Sequence, residues 1–106
     1  MSASSDPSPS GSEQTSETAQ GSQVSEVSVV LPADLHARPA GRLAQLAAGL
    51  RASVVLEYDG RSVDPARLLM VMGLGARAGS AVTVRAEGPE AGHATEVLAR
   101  FLSEID

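Results

Sequence analysis

The sequence predicts an α+β fold, a two-layer open-faced sandwich in which a four-stranded antiparallel sheet is covered on one face by three helices. The element order is βαββαβα. Three observations lead there. Short stretches with an apolar period of two alternate with stretches whose apolar positions recur every three to four residues. An Asp59-Gly60 pair between two of the strand stretches joins them as a hairpin. No apolar run reaches the length of a membrane span, and no internal repeat is visible.

Val27, Val29 and Leu31 have the alternation of a half-buried strand, which Pro32 to Leu35 breaks. From Ala37 to Leu50, residues Leu43, Leu46, Ala47 and Leu50 fall at helical spacing. Pro39 lies in the first turn, where a missing N–H costs nothing. Ser53 to Tyr58 places Val54, Leu56 and Tyr58 on one strand face, and the Asp-Gly turn returns the chain through Arg61 to Asp64. Asp64-Pro65 has the pattern of an N-cap and first-turn proline, so a short helix is expected from about Ala66, ending at Gly73-Leu74-Gly75. Val82, Val84 and Ala86 form the last strand. Ala94, Val97, Leu98, Phe101, Leu102 and Ile105 stripe a final helix from about Glu90 to the end.

Residues 1–23 hold eight Ser, three acids and no base, and their only apolar residues are Met1, Ala3 and Ala19. Such a stretch buries too little surface to offset its ordering entropy, and we expect a disordered, Ser-rich acidic tail ahead of one domain over residues 24–106. The tail lacks the charged start and apolar centre of an export signal. With no Cys, a disulfide framework, thiolate ligands and a Cys nucleophile are excluded, and the expected compartment is the cytoplasm. Two His cannot close a metal site, and no cofactor is expected. A net charge of −5, with all eight basic residues Arg and only one Tyr and one Phe, argues against nucleic acid as a partner. Membrane insertion is not expected either.

The informative segment is Leu31-Pro-Ala-Asp-Leu-His36-Ala-Arg38-Pro39-Ala40, which puts a His at a strand-to-helix junction and an Arg two residues later. A helix N-terminus offers unpaired N–H groups and the positive end of the dipole, which favour an anion by about 0.3–1 kcal/mol when exposed. Arg38 can add a charge-assisted bond. Imidazole as a class is largely neutral near pH 7, leaving a ring nitrogen able to attack phosphorus. His36 could accept a phosphoryl group there. Spacing alone favours a helix-capping His36 with Arg38 as a solvated surface charge, because an isolated His-x-Arg-Pro is too short to be diagnostic.

These residues and two further segments resemble the HPr family, the histidine-containing phosphocarriers of the bacterial phosphoenolpyruvate-dependent sugar phosphotransferase system. Leu35-His-Ala-Arg-Pro-Ala40 is similar to its active-site motif, Leu56-Glu-Tyr-Asp-Gly-Arg-Ser-Val63 to its central hairpin, and Leu68-Leu-Met-Val-Met-Gly-Leu-Gly75 to its second helix. The likeness runs over essentially all of residues 24–106. It implies phosphorylation of His36 on Nδ1 by enzyme I, using phosphoenolpyruvate, and onward transfer to the IIA components of sugar permeases. Arg38 would stabilise the phosphate, and the chain would act as a monomeric carrier rather than an enzyme. A specialised relay, serving a nitrogen-type regulatory system or a dihydroxyacetone kinase chain, is a variant of that expectation. A regulatory binding module that is not phosphorylated is an alternative of another class, against which His36 and Arg38 together count.

Three positions depart from the family pattern. Ala33 and Asp34 stand where Asn or Ser followed by Gly is usual, and the Asp34 carboxylate is expected to favour imidazolium at His36 and to repel a bound phosphate. Arg67 stands where many members have a regulatory serine that an ATP-dependent kinase phosphorylates. Arg cannot accept that phosphate, so regulation by serine phosphorylation at this position is not expected.

The run Leu68-Leu69-Met70-Val71-Met72 is too apolar for a short helix with one buried face. Either all five residues are core, or Val71 and Leu74 point inward while Leu68, Leu69 and Met72, beside Arg38 and Gln45 of the first helix, form a docking patch for enzyme I and IIA proteins. Other candidates weigh less. His93 falls beside the apolar stripe of the last helix and is expected in solvent. Gly73, Gly75 and Gly79 follow a helix and lead into a strand, the reverse of a nucleotide loop. Glu57 and Asp59 flank the hairpin turn without an evident catalytic partner.

Overall fold

The structure, a computed structural model, describes residues 23–106. The segment expected as a tail lies, apart from Gln23, outside the described residues. The elements are β1 (Val24–Val30), α1 (Ala37–Ala48), β2 (Ser53–Tyr58), β3 (Arg61–Val63), α2 (Leu68–Gly73), β4 (Ala81–Glu87) and α3 (Ala91–Ser103). They build one four-stranded sheet in the order β1-β4-β2-β3 with every neighbouring pair antiparallel, as expected.

The strand pattern explains where the core sits. In β4, Val82, Val84 and Ala86 are buried while Ala81 and Glu87 are exposed, so alternate side chains face the helices. Their partners across the sheet are Val29, Val27 and Ser25 of β1 on one side and, for Val84 and Ala86, Leu56 and Val54 of β2 on the other. Onto this face pack Leu43 of α1, Val71 of α2, and Leu98 and Leu102 of α3, all buried. A smaller cluster of Ala86, Ala91 and Ala94 closes the end where β4 turns into α3. Thr95, a buried polar residue, is satisfied there: its hydroxyl donates to the Gly92 carbonyl at 3.1 Å and accepts from Ser25 Oγ at 2.7 Å.

The opposite face of the sheet is held by polar side chains. Arg85 reaches Glu57 Oε2 at 2.6 Å on one neighbouring strand and Glu26 at 3.7 Å on the other. Ser28 and Thr83 share a hydrogen bond at 3.2 Å. Opposite charges on adjacent strands stabilise a solvated face without covering it.

The Asp-Gly turn behaves as its residues dictate. Asp59 and Gly60 both take positive φ, 53° and 78°, which twists the two-residue turn to match the strands and sets Tyr58 opposite Arg61.

Several boundaries move from their expected positions. The first strand is in ladder register from Val24, and Leu31 lies past its end although it is almost fully buried. Helix α1 stops at Ala48 with Gly49 as C-cap, and Leu50 is half-buried beyond it. Leu46, expected on the buried stripe of α1, is exposed. Helix α2 starts at Leu68 rather than Ala66. Asp64 caps the turn before it instead: its Oδ1 accepts from the Ala66 N–H at 2.9 Å and its carbonyl from Arg67 at 3.0 Å. An Asx turn and a β-turn together consume the residues that a capping pattern assigns to helix. Ile105 is buried after α3 has ended at Ser103.

Leu56 sits at 1% exposure in the strand that joins β4 to β3. Leu56→Ala is expected to lower stability by about 2–5 kcal/mol in urea unfolding, the cost of lost transfer energy plus a cavity.

Candidate functional site

His36 stands between two anchored segments. Before it, the loop from Leu31 to Leu35 is stitched to the loop from Ala76 to Ser80. The Leu31 N–H donates to Ser80 O at 2.9 Å, Gly79 N–H to Leu31 O at 2.8 Å, and Leu35 N–H to Ala76 O at 3.0 Å. Leu31, Leu35 and Ala76 are all buried, so apolar packing and backbone bonds fix the same stretch. After it, Pro39 and Ala40 are buried in the first turn of α1, and Ala40 N–H donates to the His36 carbonyl at 2.8 Å. The backbone at His36 is thereby determined from both sides while its side chain is left exposed.

His36 is the N-cap residue of α1 in extended conformation, but its imidazole makes no capping hydrogen bond. That removes the capping role that the spacing left open. The helical ladder begins with the Ala40 N–H, and Pro39 has none to give. The N–H groups of Ala37 and Arg38 remain ahead of the ladder at the positive end of the helix dipole. Arg38 is exposed and forms no ion pair among the described residues. With Arg42, one turn further on, it borders a shallow depression floored by Phe101 and Ile105 and rimmed by Glu104 and Asp106. An imidazole without a capping bond, two helix-terminal N–H groups ahead of the ladder and an exposed guanidinium two residues on suit a doubly charged oxyanion.

Asp34 has a part that spacing did not reveal. Its Oδ1 accepts from the Ala78 N–H at 2.8 Å, across 44 positions of chain. Sequence spacing assigns this carboxylate only an electrostatic effect on His36, whereas the structure gives it a mechanical one, a fourth tie between the two loops. No local signal in the sequence points to Ala78.

The second candidate region is α2. Only Val71 in the helix and Leu74 at its C-cap are buried. Leu68 is 38% exposed, Leu69 79% and Met72 39%, so the all-core alternative for the apolar run does not hold. Met70, which helical spacing left unassigned, is 50% exposed and widens the apolar surface. Helix α1 packs against α2 and carries Gln45 on its exposed side. Arg67, the N-cap residue of α2, is exposed, adds no side-chain cap and forms no ion pair among the described residues. His93 is exposed on α3, and Gly73 and Gly75 form a helix stop, Gly75 at φ 69°. Glu57 pairs with Arg85 and Asp59 is in the turn. No group of three or more metal-ligating side chains occurs among the described residues. No helix among them is long and apolar enough to cross a membrane.

A family model described as the PTS HPr component phosphorylation site matches residues 23–104. The chain belongs to the HPr family of the phosphotransferase system. A phosphocarrier protein HPr of Buchnera aphidicola subsp. Acyrthosiphon pisum is 31% identical over 81 residues, which is 76% of this chain and 95% of the relative. Among solved structures, a phosphocarrier protein HPr from Bacillus anthracis str. Ames superposes with a TM-score of 0.70 at 32% identity, over 74% of this chain and 96% of that one. Crh, the catabolite repression HPr of Bacillus subtilis, superposes with a TM-score of 0.65 at 33% identity, over 79% and 100%. The open sheet with three helices is the arrangement of these HPr neighbours. Ala33, Asp34 and Arg67 lie inside the matched range.

Asp34→Asn keeps an oxygen that can accept from Ala78, and Asp34→Ala does not. The Ala variant is expected to lose about 1 kcal/mol in denaturant unfolding and the hydrogen-exchange protection of the Ala78 amide, and the Asn variant to keep both largely intact.

Proposed function

We propose that this HPr-family chain carries a phosphoryl group on Nδ1 of His36, taking it from phosphorylated enzyme I and passing it to IIA components of sugar permeases. The observation that supports this best is the exposed imidazole, free of any capping bond, at the N-terminus of α1, with Arg38 two residues on forming no ion pair among the described residues. In the first transfer, the bond from phosphorus to the donor breaks as a bond to Nδ1 forms. In the second, the Nδ1–P bond breaks toward the acceptor, and the imidazole returns unchanged. The N–H groups of Ala37 and Arg38 and the Arg38 guanidinium offset the charge that the imidazole gains.

Docking falls to Leu68, Leu69 and Met72 on α2 with Gln45 on α1, an exposed apolar surface with a polar neighbour, as transient interfaces require. Methionine suits a surface that must fit both donor and acceptors. The chemistry needs no cofactor or metal, and the carrier acts as a monomer in the cytoplasm. With Arg67 at the position of the regulatory serine, the docking surface holds a permanent positive charge where other members gain a negative one.

Incubation with purified enzyme I and phosphoenolpyruvate should add one acid-labile phosphate, seen by intact mass, and His36→Ala should abolish it. Phosphate on the His36→Ala variant, or none on the parent beside a carrier that the same enzyme I does phosphorylate, would overturn the proposal. Leu69→Glu should keep the circular-dichroism melt of the parent and slow phosphoryl transfer at least tenfold at low carrier concentration. Unchanged rates would remove α2 from the interface.

A further inference from the structure

Helix α2 is short for the surface it displays. It spans six residues, ends in Gly73, has no side-chain cap at Arg67 and no acidic residue in its first turn, and buries only Val71. An isolated helix of this length does not hold together in water, and a terminal glycine lowers its stability further. Its order has to come from outside the helix.

At the C-terminal end that support is visible. The Leu74 N–H donates to Val71 O at 3.1 Å and the Gly75 N–H to Met72 O at 3.2 Å, which closes the helix with tightened turns. The next two carbonyls, those of Gly73 and Leu74, take no backbone N–H among the described residues. Arg61 of β3 fills both: Nη1 donates to Gly73 O at 3.3 Å and Nη2 to Leu74 O at 2.8 Å. A guanidinium matches this pair as a planar fork, and its charge lies at the negative end of the helix dipole. Arg61 also bounds a groove lined by Val63, Leu69, Met70 and Leu74, between the hairpin and the exposed side of α2. It forms no ion pair among the described residues, so the carbonyls are its partners there.

We propose that Arg61 is a positioning residue for partner recognition: from the edge strand β3 it clamps the C-terminus of α2 and so holds Leu69 and Met72 in the geometry that partners meet. This rests on α2 as the docking element of the carrier. The Asp59-Gly60 turn thereby acquires a second consequence, because the register it sets at Tyr58 and Arg61 also aims the clamp.

The test uses the full chain with Arg61→Met, which keeps an unbranched apolar stem and loses both charge and fork, and Arg61→Lys, which keeps the charge and loses the fork. Amide hydrogen exchange in the unbound protein reads the clamp, and enzyme I kinetics with each variant as substrate read docking. In Arg61→Met, exchange at Val71, Leu74 and Gly75 should quicken about tenfold while Val82 and Val84 stay as in the parent. The KM for the carrier should rise several-fold with kcat unchanged. Arg61→Lys should fall between the two in exchange, with its KM following its exchange.

Unchanged exchange at α2 in Arg61→Met overturns the proposal whatever the kinetics. Quickened exchange with an unchanged KM overturns the link to docking, and so does an Arg61→Lys protein that exchanges like the Met variant but keeps the parent KM. A parent chain that takes no phosphoryl group defeats the carrier reading, and this proposal with it, even where exchange responds to Arg61.

Discussion

The structure depends on two loops that satisfy one another. The chain between β1 and α1 has Pro32 and no regular ladder of its own, and the chain between α2 and β4 has turns at Gly75 and Gly79. Buried backbone groups cannot be left without partners, so neither loop could enter the molecule alone. Side by side, they exchange backbone bonds at Leu31, Leu35, Ala76, Gly79 and Ser80, and Asp34 adds a side-chain tie to Ala78. Leu31, Leu35 and Ala76 then extend the core beyond the ends of the strands. His36 inherits its backbone position from this join, while its side chain is left to solvent.

Helix α2 follows the opposite economy. Three helices share one face of the sheet, but α3 supplies Leu98 and Leu102 to the core and α1 supplies Leu43, whereas α2 gives little more than Val71. Its remaining apolar residues face water, which costs stability where a core position would add it. A protein of this size keeps such a surface only if other contacts hold the element in place, and here these are the Asp64 turn on one side and Arg61 on the other.

What could be read beforehand was whatever is local. The Asp-Gly turn, the alternation at Val82, Val84 and Ala86 and the stripe from Ala94 to Leu102 each rest on residues a few positions apart, and each element stands where its period places it. Pro65 misled because a proline after Asp is equally at home in an Asx turn and in the first turn of a helix. Leu31 and Ile105 are core residues outside any periodic element, so no period could find their burial. At the site, the junction of strand and helix was legible from Leu35 to Ala40, but spacing could not tell a capping imidazole from an unengaged one. The ties of Asp34 to Ala78 and of Arg61 to Gly73 and Leu74 cross long or irregular stretches of chain, and only the folded backbone brings them together.

The direction of β1 has a practical meaning. Its first residue pairs with Glu87, the Gly88 N–H closes that end of the sheet on Gln23 O, and seven residues of strand separate this point from the loop that carries His36. At about 3.3 Å of rise per residue the separation is roughly 20 Å. Whatever is attached ahead of Gln23 therefore joins the domain at the pole opposite the imidazole. A purification handle, a fluorophore or a surface linker placed there leaves His36 facing outward, so the chain can be immobilised by that end with the imidazole still presented to solution.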